Sequence, residues 1–252
     1  MIRTNLTTWL GRVLPLLAVV NLCGCQSPAA RGPQQWNQAH SAALAVSPIE
    51  FHCAHGVFAG SYPTGVETVT VGYRDVCTQL GHVCLCGAGG FRIAGEAVAA
   101  LRGEGPPLER EEFILISGRD HTVSDVIASV LGCVRRADPQ RSRYFIDDSI
   151  VAPRREYHYY IAYRPARRAV HVIYRKHLLI GHEEMDVLWR IEQTFDTDPD
   201  ALSTADIERY RRAMQQMVRD VLLDRVPGLI TVEPVDYATF ESRLETCITA
   251  NH

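Results

Sequence analysis

The densest run of residues able to do chemistry is Gly81-His82-Val83-Cys84-Leu85-Cys86, followed by Gly87-Ala88-Gly89-Gly90-Phe91-Arg92. Thiolate and imidazole are the donors that zinc and related transition metals prefer. His82, Cys84 and Cys86 recur at every second position, so an extended chain puts all three on one side. A helix N-terminus lowers the pKa of a thiol, which makes Cys84 or Cys86 a candidate reactive thiolate. The glycines behind them let backbone approach closely and open the next helix. A Cys-x-Cys pair is poorly suited to a mutual disulfide, and the lack of spaced Cys-x-x-Cys units argues against an independent zinc finger. A bland alternative stands beside this reading. Cys84, Cys86 and Cys133 can be small buried residues or disulfide partners of Cys53, Cys77 or Cys247, and His82 a helix-end or core histidine.

Other soft donors are less organised. His52-Cys53-Ala54-His55 either caps the same metal, forms another site or is a surface loop. His158, His171, His177 and His182 are scattered, with no ligand spacing. Cys77 and Cys247 lie outside the motifs and read as structural.

These residues need elements to hold them. Glu67 to Leu80 is expected to be a helix leading into Gly81, and Arg92 to Leu101 a small-residue helix. Glu112 to Ser117 has strand character. Thr122 to Leu131 has helical spacing at Val123, Ile127 and Val130, with Gly132 as its stop. Glu156 to Tyr163 and Ala169 to Arg175 read as a β-hairpin around a basic turn, Arg164 to Arg168, itself expected to be solvated. Glu183 to Glu192 is a short helix around Met185, Leu188 and Trp189. Ser203 to Leu223 is the clearest helix, capped by Ser203, with its stripe from Ile207 through Tyr210, Met214 and Met217 to Leu222 expected to pack in the core. Pro227-Gly228 ends it, and Leu229 to Val235 forms a last strand. The uneven alternation gives an α+β class, a mixed or antiparallel sheet with packed helices.

The chain begins with Arg3, Arg12 and an apolar run from Val13 to Leu22, too short for a membrane span and matching a secretory signal. Leu22-Cys23-Gly24-Cys25 resembles the bacterial lipobox, which implies lipid attachment at Cys25; the alternative is plain secretion with cleavage near Ala29 or Ala30. With the lipobox, residues 1–24 are the signal peptide, 25–46 a tether rich in Gln, Ala, Ser and Pro, 47–235 the folded domain and 236–252 a C-terminal extension. Loss of the signal takes Arg3 and Arg12 and moves the net charge from −3 to −5. That balance excludes a nucleic-acid footprint. A 46% hydrophobic and 22% charged composition excludes collagen-like and wholly disordered classes. The expected location is the cell envelope, periplasm or surface, where disulfides are permitted, with the membrane as partner through the anchor. Oligomeric state is left open.

A family resemblance joins the motifs. Gly81-His82-x-Cys84 with Gly90-Phe91-Arg92 is similar to the H-G-H-x-C-P-G-x-x-x-G-[YF]-R signature of a family of formylmethanofuran dehydrogenase subunits, the FmdE-like family. Asp120-His121-Thr122-Val123-Ser124-Asp125 through Gly132-Cys133 resembles its D-x-C-x-x-D-A-I-x-x-x-x-G-C element. The resemblance spans Val66 to Arg175, with a weaker echo to Val235. It implies an α+β core whose His, Cys and Asp residues line a groove and bind metal. His82, Cys84, Asp125 and Cys133 match the family pattern. Leu80 replaces the first His, Leu85 and Cys86 replace Pro and Gly, and His121 or Thr122 stands where the family has Cys. The family's C-terminal zinc-finger cysteines are missing. The implied donor set is His82, Cys84, Cys86, His121 and Cys133, holding zinc or another transition metal. Cys84 and Asp125 are the candidate catalytic groups, Asp125 as base or as a positioning residue. A metal-dependent site for a small ligand or a reaction is the first reading, with a carrier of metal or metallo-ligand and a disulfide-stabilised interaction module without metal as alternatives, and a thiol redox role for Cys84 and Cys86 as a third. Absence of Cys-x-x-Cys weighs against the third.

Overall fold

The computed structural model describes residues 45–120 and 122–250; Cys25, His121, the signal and most of the tether lie outside the described residues. Its centre is a five-stranded sheet, ordered β4-β3-β5-β6-β7, where β3 is Phe113–Ser117, β4 Tyr144–Ile146, β5 Glu156–Tyr163, β6 Arg168–Arg175 and β7 Ile230–Val235. Only β3 and β4 pair in parallel. A separate antiparallel pair joins β1 (Ile49–His52) to β2 (Thr68–Val71), with the short helix α1 (Ala54–Phe58) between them in the chain. With seven helices among the described residues, the fold is α+β.

Three expected helix boundaries are corrected. The stretch from Glu67 divides into β2 and α2 (Tyr73–Leu80), because the β-branched Thr-Val-Thr-Val run pairs with β1. The Gly72 N–H donates to Asp75 at 2.7 Å and starts α2. The small-residue helix, α3 (Leu85–Arg102), starts well before Arg92, so its glycines lie inside it.

All five residues of β3 are buried because both faces of the sheet are covered. Phe113 and Leu115 face the main core with α3, α4 (Val123–Leu131), α5 (Gly181–Thr197) and α6 (Thr204–Leu222). Ile114 and Ile116 face the opposite way, toward Phe240 and Cys247 of α7 (Tyr237–Ala250). The C-terminal segment is therefore a helix packed on the sheet.

A Cβ on Gly90 would stand 2.6 Å from the Val126 Cβ, and one on Gly89 3.0 Å from the Tyr174 ring. These glycines serve close packing of α3 on α4 and on the sheet. The helix around Met185 is longer than expected and runs over Gly181–Thr197. The remaining expectations match: the hairpin, the strand at Phe113, the helix stopped by Gly132 in the left-handed region at φ 71°, and the Ser203-capped α6, where Asp206 N–H donates to Ser203 Oγ at 3.1 Å. The basic turn is solvated and locally paired, Arg164 to Glu112 and Arg167 to Glu241.

Candidate functional site

The residues expected to act together separate into two groups. Cys84 takes the N-cap position of α3, and its Sγ accepts the Gly87 N–H at 3.3 Å, the role a serine oxygen usually plays. Tyr73 Oη donates to the Cys84 carbonyl at 3.3 Å and fixes the turn from below. Cys86 lies in the first turn of the helix. Both cysteines are half-buried and line one cleft of about 710 Å³. A cleft of this size falls in the range of small-molecule sites, roughly 300–1,000 Å³. His82 also lines it, exposed, with Nδ1 3.0 Å from the Leu80 carbonyl oxygen.

Cys133 and Asp125 do not line this cleft. Past the left-handed Gly132 the chain turns inward, so Cys133 is buried in the core with Sγ 3.5 Å from the Phe113 carbonyl. Asp125 is exposed on the first turn of α4. The buried acid nearby is Asp120, which opens the second motif. Its carboxylate accepts from Ser124 Oγ and Tyr159 Oη, both at 2.8 Å, and from the Ser124 N–H. Burial holds the Asp120 carboxyl above the usual carboxylate range, against the pull of those hydrogen bonds. It is also an electrostatic neighbour of Cys86. Position alone did not separate it from Asp125, since both belong to the same motif. His121 lies outside the described residues; the next residue, Thr122, lines the cleft.

The expected reactive thiolate is corrected. Two effects compete at the start of α3. The backbone N–H groups and Lys176 favour thiolate, and burial opposes it. Burial wins. The Cys86 thiol is pushed up to about 11, and Cys84 is raised for the same reason against the Gly87 N–H. Cys133 goes to about 12, again by burial.

The remaining motif residues are structural. Phe91 packs on Tyr73 with ring centroids 5.8 Å apart, and Arg92 pairs with Glu96 at 2.6 Å. His52 does not reach the cleft; its Nδ1 is 2.7 Å from Glu109 Oε2, which also accepts the Ala54 N–H. No disulfide joins the six cysteines among the described residues.

Several cleft residues were not singled out by spacing. Tyr157 comes from β5, and Lys176 follows β6. Trp189 comes from α5, with Tyr210 and Met214 from α6. Part of the α6 stripe therefore faces open space, where the sequence pattern predicts core. Met217 serves both, buried and at the cleft floor. Among the described residues, no three His, Cys, Asp or Glu side chains gather as a metal-holding group, and no helix is long and apolar enough to cross a membrane. No family model matches the chain, and no curated protein or solved structure does so either.

Proposed function

We propose that this chain is an exported, lipid-anchored domain that binds a transition metal, zinc first, at the cleft thiols of Cys84 and Cys86, with a small ligand in the remaining space. One observation carries this reading: two motif cysteines at the start of one helix line the same ligand-sized cleft. Thiolates are preferred zinc donors, and metal binding displaces their protons. A third donor is needed beyond the two thiols. His121 is the proposed one, with water or the ligand completing the set. His82, at the cleft mouth, is the alternative imidazole. Cys133 leaves the donor set and Asp125 the catalytic pair, because neither lines the cleft. The resemblance of the two motifs to the FmdE-like family supports the metal, and the lipobox-like run supports acylation of Cys25.

Elemental analysis after zinc supply tests this. About one zinc per chain is expected, lost in Cys84→Ser, Cys86→Ser and His121→Ala and kept in Cys133→Ala. Equal zinc in all of these proteins would end the proposal. Metabolic labelling with palmitate tests the anchor: label on the wild type and none on Cys25→Ser is expected.

A further inference from the structure

The cleft is lined by three cations and three carboxylates, and the two sets differ in burial and pairing. Glu156 and Arg175 form the end pair of the β5–β6 hairpin. Arg155 and Lys176 are the next residues outward along the two chains, and both line the cleft. Arg155 has φ 62°, in the left-handed region that a residue with a side chain rarely adopts. Such backbone persists where surrounding structure holds it, commonly at functional sites. Its guanidinium is held by the His182 carbonyl and by Asp186. Arg154 pairs with the same Asp186, so two cations share one carboxylate. Lys176 is half-buried and has no ion pair among the described residues; its charge faces the two thiols. Around Asp186, two guanidinium groups share one carboxylate, and Lys176 adds a third cation to the lining.

The acidic lining is different in kind. Glu192 and Asp196 lie further along α5 and are exposed, so water screens them, although Glu192 acts on the same two thiols as Lys176. Glu192 is also hydrogen-bonded by the Tyr210 hydroxyl. A half-buried cation acts on a ligand more strongly than an exposed carboxylate. Between the two ends the wall is apolar and aromatic, from Tyr157, Trp189 and Met214.

We propose that the cleft takes a small organic anion, its charged group at Lys176 beside Arg155 and its apolar body against Tyr157, Trp189 and Met214. This rests on the cleft being the binding site and is independent of the metal. Two fluorescent probes of nearly the same shape test it on the full chain: anionic anilinonaphthalene sulfonate and neutral phenylnaphthylamine. The sulfonate is expected to bind about tenfold tighter than the neutral probe, a difference of one charge contact. Lys176→Gln is expected to remove most of that preference while leaving the neutral probe unchanged, and Lys176→Arg to restore it. Trp189→Ala is expected to weaken both. Equal affinity of the two probes in wild type, or a preference that survives Lys176→Gln, would overturn the proposal. So would sulfonate binding that weakens as the chain dimerises in sedimentation, since a second copy would then fill the cleft. Titrations with chelator and with zinc keep this separate from the metal reading. Charge preference without zinc uptake retains the anion site alone; zinc uptake without charge preference retains the metal alone.

Discussion

Cys86 sits in the first turn of α3 and lines a cleft, whereas Cys133 sits just past the end of α4 and is packed in the core. Both are motif cysteines with soft-donor neighbours in the sequence. The two ends of a helix treat them differently. A helix N-terminus leaves its first N–H groups unpaired, and a side chain there projects past the end of the rod. At the end of α4, left-handed Gly132 sends the chain back under β3, and Cys133 Sγ meets the Phe113 carbonyl. A cysteine pattern thus reports donors, and the helix terminus beside each cysteine decides which face a ligand.

The strongest way to break this contrast is to disturb the contact between the helices that carry it. Gly90→Val places side-chain carbon where the Val126 Cβ would be 2.6 Å and the Val123 carbonyl oxygen 2.9 Å from the new Cβ. Helices α3 and α4 would have to separate, at a cost of about 3 kcal/mol. A urea midpoint equal to wild type would show that the close approach is not required.

The second effect is chemical. With chelator present, iodoacetamide is expected to alkylate Cys84 and Cys86 about 100-fold faster than Cys133, which reacts only when its core opens. Mass spectrometry of partly modified protein gives the site-by-site rates. Equal rates would erase the distinction between cleft and core thiols.

A smaller effect comes from pH. Burial raises the folded-state Cys133 thiol from the ordinary 9.0 to about 12, so the folded chain favours the protonated form. That contribution is fully present below the ordinary value and is lost as pH climbs from there toward 12. In this window the group makes stability fall by up to about 1.4 kcal/mol per pH unit. Cys133→Ala should flatten that part of the slope, measured as urea midpoints of both proteins across the window. Identical slopes would mean that Cys133 does not titrate differently on unfolding.

The smallest effect is expected at the basic turn. Arg167→Gln breaks an exposed pair with Glu241 and should change stability by less than about 0.5 kcal/mol. A larger loss in thermal unfolding would indicate that the turn anchors α7 to the sheet.

Legibility in the sequence followed the length and regularity of each pattern. Ser203 and its helix were readable because a cap and a long apolar stripe coincide. The hairpin was readable because β-branched and aromatic residues flank a basic turn. The start of α3 was hidden, because Gly87, Gly89 and Gly90 read as loop when only local propensity is considered. The packing partners of Gly89 and Gly90, Tyr174 and Val126, lie far along the chain. At the site, spacing put Cys84 and Cys86 on one side of an extended chain; both line the cleft, but from the cap and first turn of a helix. The separation of Cys133 and the burial of Asp120 did not follow from spacing, since both depend on where β3 and β5 pass.

By itself the sequence determined the class of elements and the concentration of thiol and imidazole donors around His82 to Cys86. Those properties are local: periodicity, capping and composition act within one segment. The tertiary structure alone decided that α5 and α6 wall a cleft over the start of α3, and that Lys176 and Arg155 both line it. It also decided that burial outweighs the helix terminus in setting the thiols. These outcomes depend on which distant surfaces exclude water from a given side chain, a quantity that no window of sequence contains.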